Sequence, residues 1–140
     1  MSKIFLYPIL IAMVIHGLKM IIDLAKKKFS WSKAFGYGGM PSSHAALVTS
    51  LATAVYLTEG LSVTFAVSVI LALIVIRDAL GLRGYLSRHA RIINKLIKDL
   101  PDEEEYKYPV LEERIAHTWA QLAVGALLGI IFTLLVFKLL

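Results

Sequence analysis

Apolar positions along this chain fall into long runs separated by short polar breaks, and those runs set the expected architecture. From Ile4 to Ile22, 19 residues, the ionisable intruders are His16 and Lys19, and about 20 apolar residues carry a helix across a bilayer. No small-x-small cleavage pattern closes this run, so it reads as a retained membrane helix rather than a removable leader. Ala45 to Leu57 is shorter and rich in alanine and threonine, a composition suited to close helix packing in lipid. Whether it spans or stops part-way is open from the pattern alone. Leu61 to Ile76 is broken at its end by Arg77-Asp78 and Gly81-Leu82-Arg83. Trp119 to Leu139 is the longest run and carries Gly125 and Gly129 at small-xxx-small spacing.

The stretch from Arg83 to Arg114 differs in kind. Arg88, Arg91, Lys95 and Lys98 alternate with Leu86, Ile92, Ile93, Leu96 and Ile97, the pattern of a basic amphipathic helix lying on anionic headgroups. Pro101 stops it, and Asp102 to Glu105 read as a solvated acidic loop. The whole pattern predicts an all-α polytopic membrane protein in a single domain, residues 1–140. About four transmembrane or membrane-embedded helices are expected near 4–25, 44–58, 61–80 and 117–139. One amphipathic surface segment is expected near 84–100.

Composition sharpens this picture. The 140 residues are 58% hydrophobic with a mean hydropathy of +0.72, above the usual apolar share of soluble domains. The absence of cysteine removes disulfides and thiolate metal sites. The net charge of +5 is unevenly placed. With four membrane segments, loops 26–43 and 81–116 share one side and carry most of the lysine and arginine, while Lys3, Glu59 and Lys138 lie on the other. The positive-inside rule then orients the basic side toward the cytoplasm of a cell (inner) membrane. The anionic partner expected of this charge is the lipid bilayer, not nucleic acid. Four short helices bury little surface alone, so a homodimer is the expected assembly.

The same topology brings Lys19, the turn Pro41-Ser42-Ser43-His44, Asp78, Arg83 and His117 to one membrane face. A helix start after Gly38-Gly39-Met40-Pro41 offers backbone N–H groups and the positive end of the dipole to an anion. Ser42 or Ser43 can cap that helix or bond a phosphate oxygen, and His44 is titratable beside them. A capped helix with an interfacial histidine explains the segment equally well by itself. Charged side chains at four helix ends, however, are costly unless they pair or face a polar cavity. Two histidines, several cations, a carboxylate and a helix N-terminus make a phosphate-handling site.

The segments Gly38-Gly39-Met40-Pro41-Ser42-Ser43-His44-Ala45-Ala46-Leu47-Val48-Thr49, Arg77-Asp78-Ala79-Leu80-Gly81-Leu82-Arg83 and Ala116-His117-Thr118 resemble the divergent branch of the type 2 phosphatidic acid phosphatase superfamily, which is related to vanadium-dependent haloperoxidases. The wider superfamily is marked by K-x6-R-P, P-S-G-H and S-R-x5-H-x3-D. The resemblance implies a third-motif histidine that attacks phosphorus to give a phosphohistidine, its ring oriented by the carboxylate. The second-motif histidine protonates the leaving alcohol, and lysine, arginine and loop N–H groups hold the phosphoryl oxygens. It implies no cofactor and no metal.

Carried over by motif, Pro41-Ser42-Ser43-His44 matches the second motif with Ser43 for glycine. Lys19 with Lys26 matches the first, lysine standing for arginine. His117 matches the third-motif histidine, but four residues on stands Gln121, not an acid, and Arg114 lies only three residues before. Asp78 is the candidate substitute carboxylate. The resemblance thus implies His117, His44 and Asp78 as catalytic, and Lys19, Gly39, Ser42, Ser43, Arg83 and Arg114 as phosphate-binding. The expected function is an integral membrane phosphatase hydrolysing a membrane lipid phosphate or pyrophosphate. The alternative is a catalytically inactive membrane protein that binds anionic lipid headgroups through the same pocket. A small transporter assembled through Gly125 and Gly129 is a third reading.

Overall fold

The computed structural model describes residues 3–25, 40–101 and 107–139, and the helices in them are α1 (Lys3–Ala25), α2 (Ser43–Glu59), α3 (Val63–Leu80), α4 (Leu82–Lys98) and α5 (Trp119–Leu139). No strand occurs among the described residues. Lys26 to Gly39, with its lysines, aromatic residues and glycine pair, and the acidic loop 102–106 lie outside them. Three stretches are long and apolar enough to cross a membrane: Ile4–Ala25, the run Val63–Lys98 and Trp119–Leu139.

Helix boundaries follow local chemistry. Ser42 is the N-cap of α2, its Oγ accepting from the Ala45 N–H at 3.4 Å. α2 ends at Gly60, whose φ of +67° is a left-handed conformation costly for residues with a Cβ. Ser62 then caps α3 by accepting from the Phe65 N–H at 3.1 Å. The three-residue connection reverses the chain, and Tyr56 and Phe65 face each other across it with centroids 5.3 Å apart.

α5 starts at Trp119 with its hydrophobic run, two residues later than the helix expected near 117–139. Thr118 Oγ1 accepts from the Gln121 N–H at 3.3 Å, and Gln121 Oε1 accepts from the Thr118 N–H at 3.0 Å. This reciprocal pair is a capping box, T-x-x-Q, which satisfies two N–H groups that a helix start otherwise leaves unmet. Likewise α4 begins at Leu82, directly after Gly81, whose N–H still bonds the Arg77 carbonyl at 2.8 Å.

α2 is the helix the others are packed around, touching α1, α3 and α5. At 17 residues it is about 26 Å long, and its inner positions are small or hydroxylated. α2 and α5 run parallel in a regular stagger: Gly125 meets the Ser42 backbone, Gly129 meets Ala46 and Thr49, and Thr133 meets Ser50. A Cβ on Gly125 would run into the Ser42 carbonyl oxygen, and one on Gly129 into the Ala46 carbonyl oxygen. Among lipid tails, apolar burial drives little helix association, so backbone approach and hydrogen bonds between helices carry it. The Thr133 hydroxyl lies 2.7 Å from Ser50 Oγ and 2.6 Å from the Gly129 carbonyl, and the Thr49 hydroxyl reaches the Ala126 carbonyl at 3.1 Å. The glycine stripe is thus filled by α2 of the same chain, which leaves it unavailable for the intermolecular contact of the transporter reading.

α1 closes the other side. Ile11 and Ile15 pack on Ala46, with Leu128 and Phe132 against them, and Tyr7 meets Phe137 at 6.1 Å, so α1 runs antiparallel to α5. Large apolar side chains such as Phe5, Met13, Val67, Ile74 and Leu127 point outward, as lipid contact requires.

Candidate functional site

Each element contributes a polar group at the same end of the bundle. α1 brings Lys19 close to its C-terminal end, 7% exposed and within electrostatic range of Asp23. The first turn of α2 brings Ser43 and His44, both half-buried. The end of α3 and start of α4 bring Asp78 and Arg83, paired through Arg83 Nε and Asp78 Oδ2 at 3.2 Å. The entry to α5 brings His117, 8% exposed, whose N–H reaches the Ala79 carbonyl at 3.4 Å. His44 lies within electrostatic range of Arg83, His117, Lys19 and Asp78 at once. The convergence expected from topology is therefore present.

The register between α2 and α5 fixes the distance between the two histidine-bearing segments. The Ser42 N–H donates to the Gln121 carbonyl oxygen at 3.2 Å. Ser42 is fully buried, with its hydroxyl spent on the helix cap and its N–H on α5. It builds the turn, and Ser43 stands half-buried at the first helical position.

His117 has a defined tautomer. Its Nδ1 lies 3.2 Å from Gln121 Oε1. That same oxygen accepts from the Thr118 N–H, which identifies it as the amide's carbonyl oxygen. An acceptor facing Nδ1 requires a proton on Nδ1, and the lone pair is then on Nε2. Burial holds His117 below the ordinary imidazole range; the Gln121 hydrogen bond opposes this, and the Arg83 and Lys19 charges reinforce it. Near neutral pH the ring is uncharged, with its Nε2 lone pair unprotonated.

Two cavities adjoin the group. A polar one of about 450 Å³ opens outside His117 and Gln121 and is lined by Arg91, Arg114, Ser87 and Glu113. An apolar groove of about 530 Å³ runs between α2, α3 and α5, from Thr49 and Ile76 near the site toward Tyr56 and Phe65 at the far turn. Thr49 and Ile76 at one end of the groove are within two turns of His44 and Asp78 along their helices.

The family model described as the Divergent PAP2 family matches residues 1–132. The chain belongs to this divergent PAP2 family. Its sequence is also 41% identical over 123 residues to YuiD of Bacillus subtilis (strain 168), described as an uncharacterized membrane protein, covering 79% of this chain and 78% of YuiD. No solved structure matches. Membership agrees with the all-helical, polytopic membrane architecture.

Within this divergent PAP2 protein, Lys19, His44, Asp78, Arg83 and His117 come together, Ser43 precedes His44 in the first turn of α2, and Arg114 lines the polar cavity beside His117. Gly39 and Lys26 lie outside the described residues. Asp78 engages Arg83, while the position beside His117 Nδ1 is taken by Gln121. Gln121 stands where the superfamily motif has an acid and orients the neutral His117 ring by a hydrogen bond, as an amide at that position can; its capping role is carried by T-x-x-Q before an apolar run, a signature separate from the motif. Ser87 and Asn94 on α4 belong to no motif in the sequence. Ser87 Oγ accepts from the Ile115 and Ala116 N–H groups at 3.3 and 3.1 Å. Asn94 exchanges two hydrogen bonds of 2.9 Å with the Leu111 backbone and donates to Glu113 at 2.9 Å. These two side chains hold the approach to His117 against α4.

Proposed function

We propose that this protein is a membrane phosphohydrolase that removes phosphate from a lipid phosphate or pyrophosphate at the cytoplasmic face of the cell membrane. The observation that carries the reading is His117, with Nδ1 hydrogen-bonded to Gln121 and its proton affinity lowered, beside His44, Lys19 and Arg83. The His117 Nε2 lone pair forms the N–P bond as the P–O bond to the lipid alcohol breaks, and His44 gives its proton to the leaving oxygen. Water, deprotonated by the now neutral His44, then attacks phosphorus and releases phosphate and neutral His117. Lys19, Arg83 and the start of α2 at Ser43 take up the phosphoryl charge, and Arg114 guards the rim. Binding a phosphate dianion among these groups favours the protonated form of His44 that the first step requires. The apolar groove supports a substrate with a long hydrocarbon chain, and the basic loops support the cytoplasmic orientation.

Phosphate release by detergent-purified protein from a panel of lipid phosphates and pyrophosphates tests this reading. Activity is expected, and His117→Ala and His44→Ala are each expected to remove it with the protein still folded. A second reading, headgroup binding without turnover, is favoured by one feature: Gln121 cannot neutralise an imidazolium as a carboxylate does. Saturable lipid-phosphate binding with no release from any panel member would establish that reading instead.

A further inference from the structure

α4 carries three separate stripes, and the site accounts for only one of them. Ser87, Ala90 and Asn94, at i, i+3 and i+7, are buried, and the serine and asparagine hold the segment leading to His117. Leu82, Tyr85, Leu86, Ile92, Ile93 and Leu96 form a second stripe that is 43% to 64% exposed. Arg88, Arg91, Lys95 and Lys98, at i, i+3, i+7 and i+10, form a third, and Arg88 lies 4.6 Å above the Tyr85 ring where the second and third stripes meet.

Length decides where this helix sits. The run Val63–Lys98 has 36 residues, about 54 Å if straight, against a hydrocarbon core of about 30 Å that α3 alone nearly fills. α4 therefore lies beyond the core. Projecting into water would leave six large apolar side chains wet, and packing against a second copy along this stripe would crowd two basic stripes together. An anionic lipid surface meets both stripes, taking the apolar one at the acyl boundary and the basic one at the headgroups.

We propose that α4 docks along an anionic bilayer surface, with Leu86, Ile93 and their neighbours seated among lipid and Arg88, Lys95 and Lys98 on headgroup phosphates. The docking is independent of any turnover at His117. The chain has no cysteine, so Ile93→Cys takes a single polarity-sensitive fluorophore in the full-length protein. The labelled protein is placed in nanodiscs of phosphatidylcholine with or without phosphatidylglycerol, and quenching by nitroxide lipid is measured. Phosphatidylglycerol is expected to shift emission to the blue and strengthen quenching. Combined Arg88→Gln, Lys95→Gln and Lys98→Gln substitutions are expected to remove that response; at about fivefold per cation the anionic preference falls on the order of a hundredfold. Size-exclusion elution unchanged from the parent shows that this variant is folded. Water-like emission in both lipid mixtures overturns the proposal, as does emission insensitive to phosphatidylglycerol but dependent on protein density, which marks a second copy on the stripe.

Discussion

Gln121 serves two structures with one oxygen, closing the capping box of α5 and fixing the proton of His117 on Nδ1. Glutamate is the other residue a capping box accepts, so Gln121→Glu keeps the helix start and places a charge beside the ring. That charge raises the His117 proton affinity. If the phosphohydrolase reading holds, the acid limb of the pH–rate profile moves to higher pH by about one unit, measured by phosphate release. Gln121→Leu removes the acceptor and is expected to lower turnover about tenfold or more. The native histidine has a lowered proton affinity when folded, so its contribution to stability is full above the unfolded value of about 6.5 and is lost as pH falls below it. Thermal unfolding in detergent is expected to show a decline there, smaller in His117→Gln. Gly125 is as constrained as any catalytic group, because even a methyl meets the Ser42 backbone. Gly125→Ala is expected to cost about 1–3 kcal/mol, read as a lower midpoint in the same melt.

At the scale of elements, α4 does what its sequence announced and something its sequence concealed. The basic and apolar stripes are periodic and legible at 3.6 residues per turn. The Ser87 and Asn94 contacts are not, because they run to backbone groups of an irregular segment that no periodicity marks. Asn94→Ala leaves the Leu111 N–H and carbonyl without these partners, a loss of about 0.5–1.5 kcal/mol per bond at this half-buried edge. Hydrogen exchange at Leu111, Ile115 and Ala116 is expected to accelerate, with the helices unchanged. α2 shows the opposite difficulty. Its apolar core of Ala45 to Leu57 is too short to declare a span, yet Ser43, Thr58 and Glu59 extend the helix, since Ser42 caps it and Thr58 bonds the Ala54 carbonyl at 2.9 Å. Protein surrounds it on three sides, so hydrophobic length is not what places it.

For the whole molecule, the order of the apolar helices is written in run lengths, three of them long enough to cross a membrane, and the gathering of Lys19, His44, Asp78, Arg83 and His117 follows from alternating direction. The pairing within that group was hidden. Asp78 and Arg83 meet across the Gly81 break, five positions apart, where ordinary helical spacing gives no guidance. The parallel stagger of α2 on α5 has a temporal meaning as well. The turn before His44 is secured by the Gln121 backbone carbonyl, and α2 lies along the glycine stripe of α5. A chain emerging from the ribosome therefore holds both histidine neighbourhoods together only once α5 has been made. A nascent product that stops before α5 lacks His117, Gln121 and the stripe against which the Ser42 turn is held.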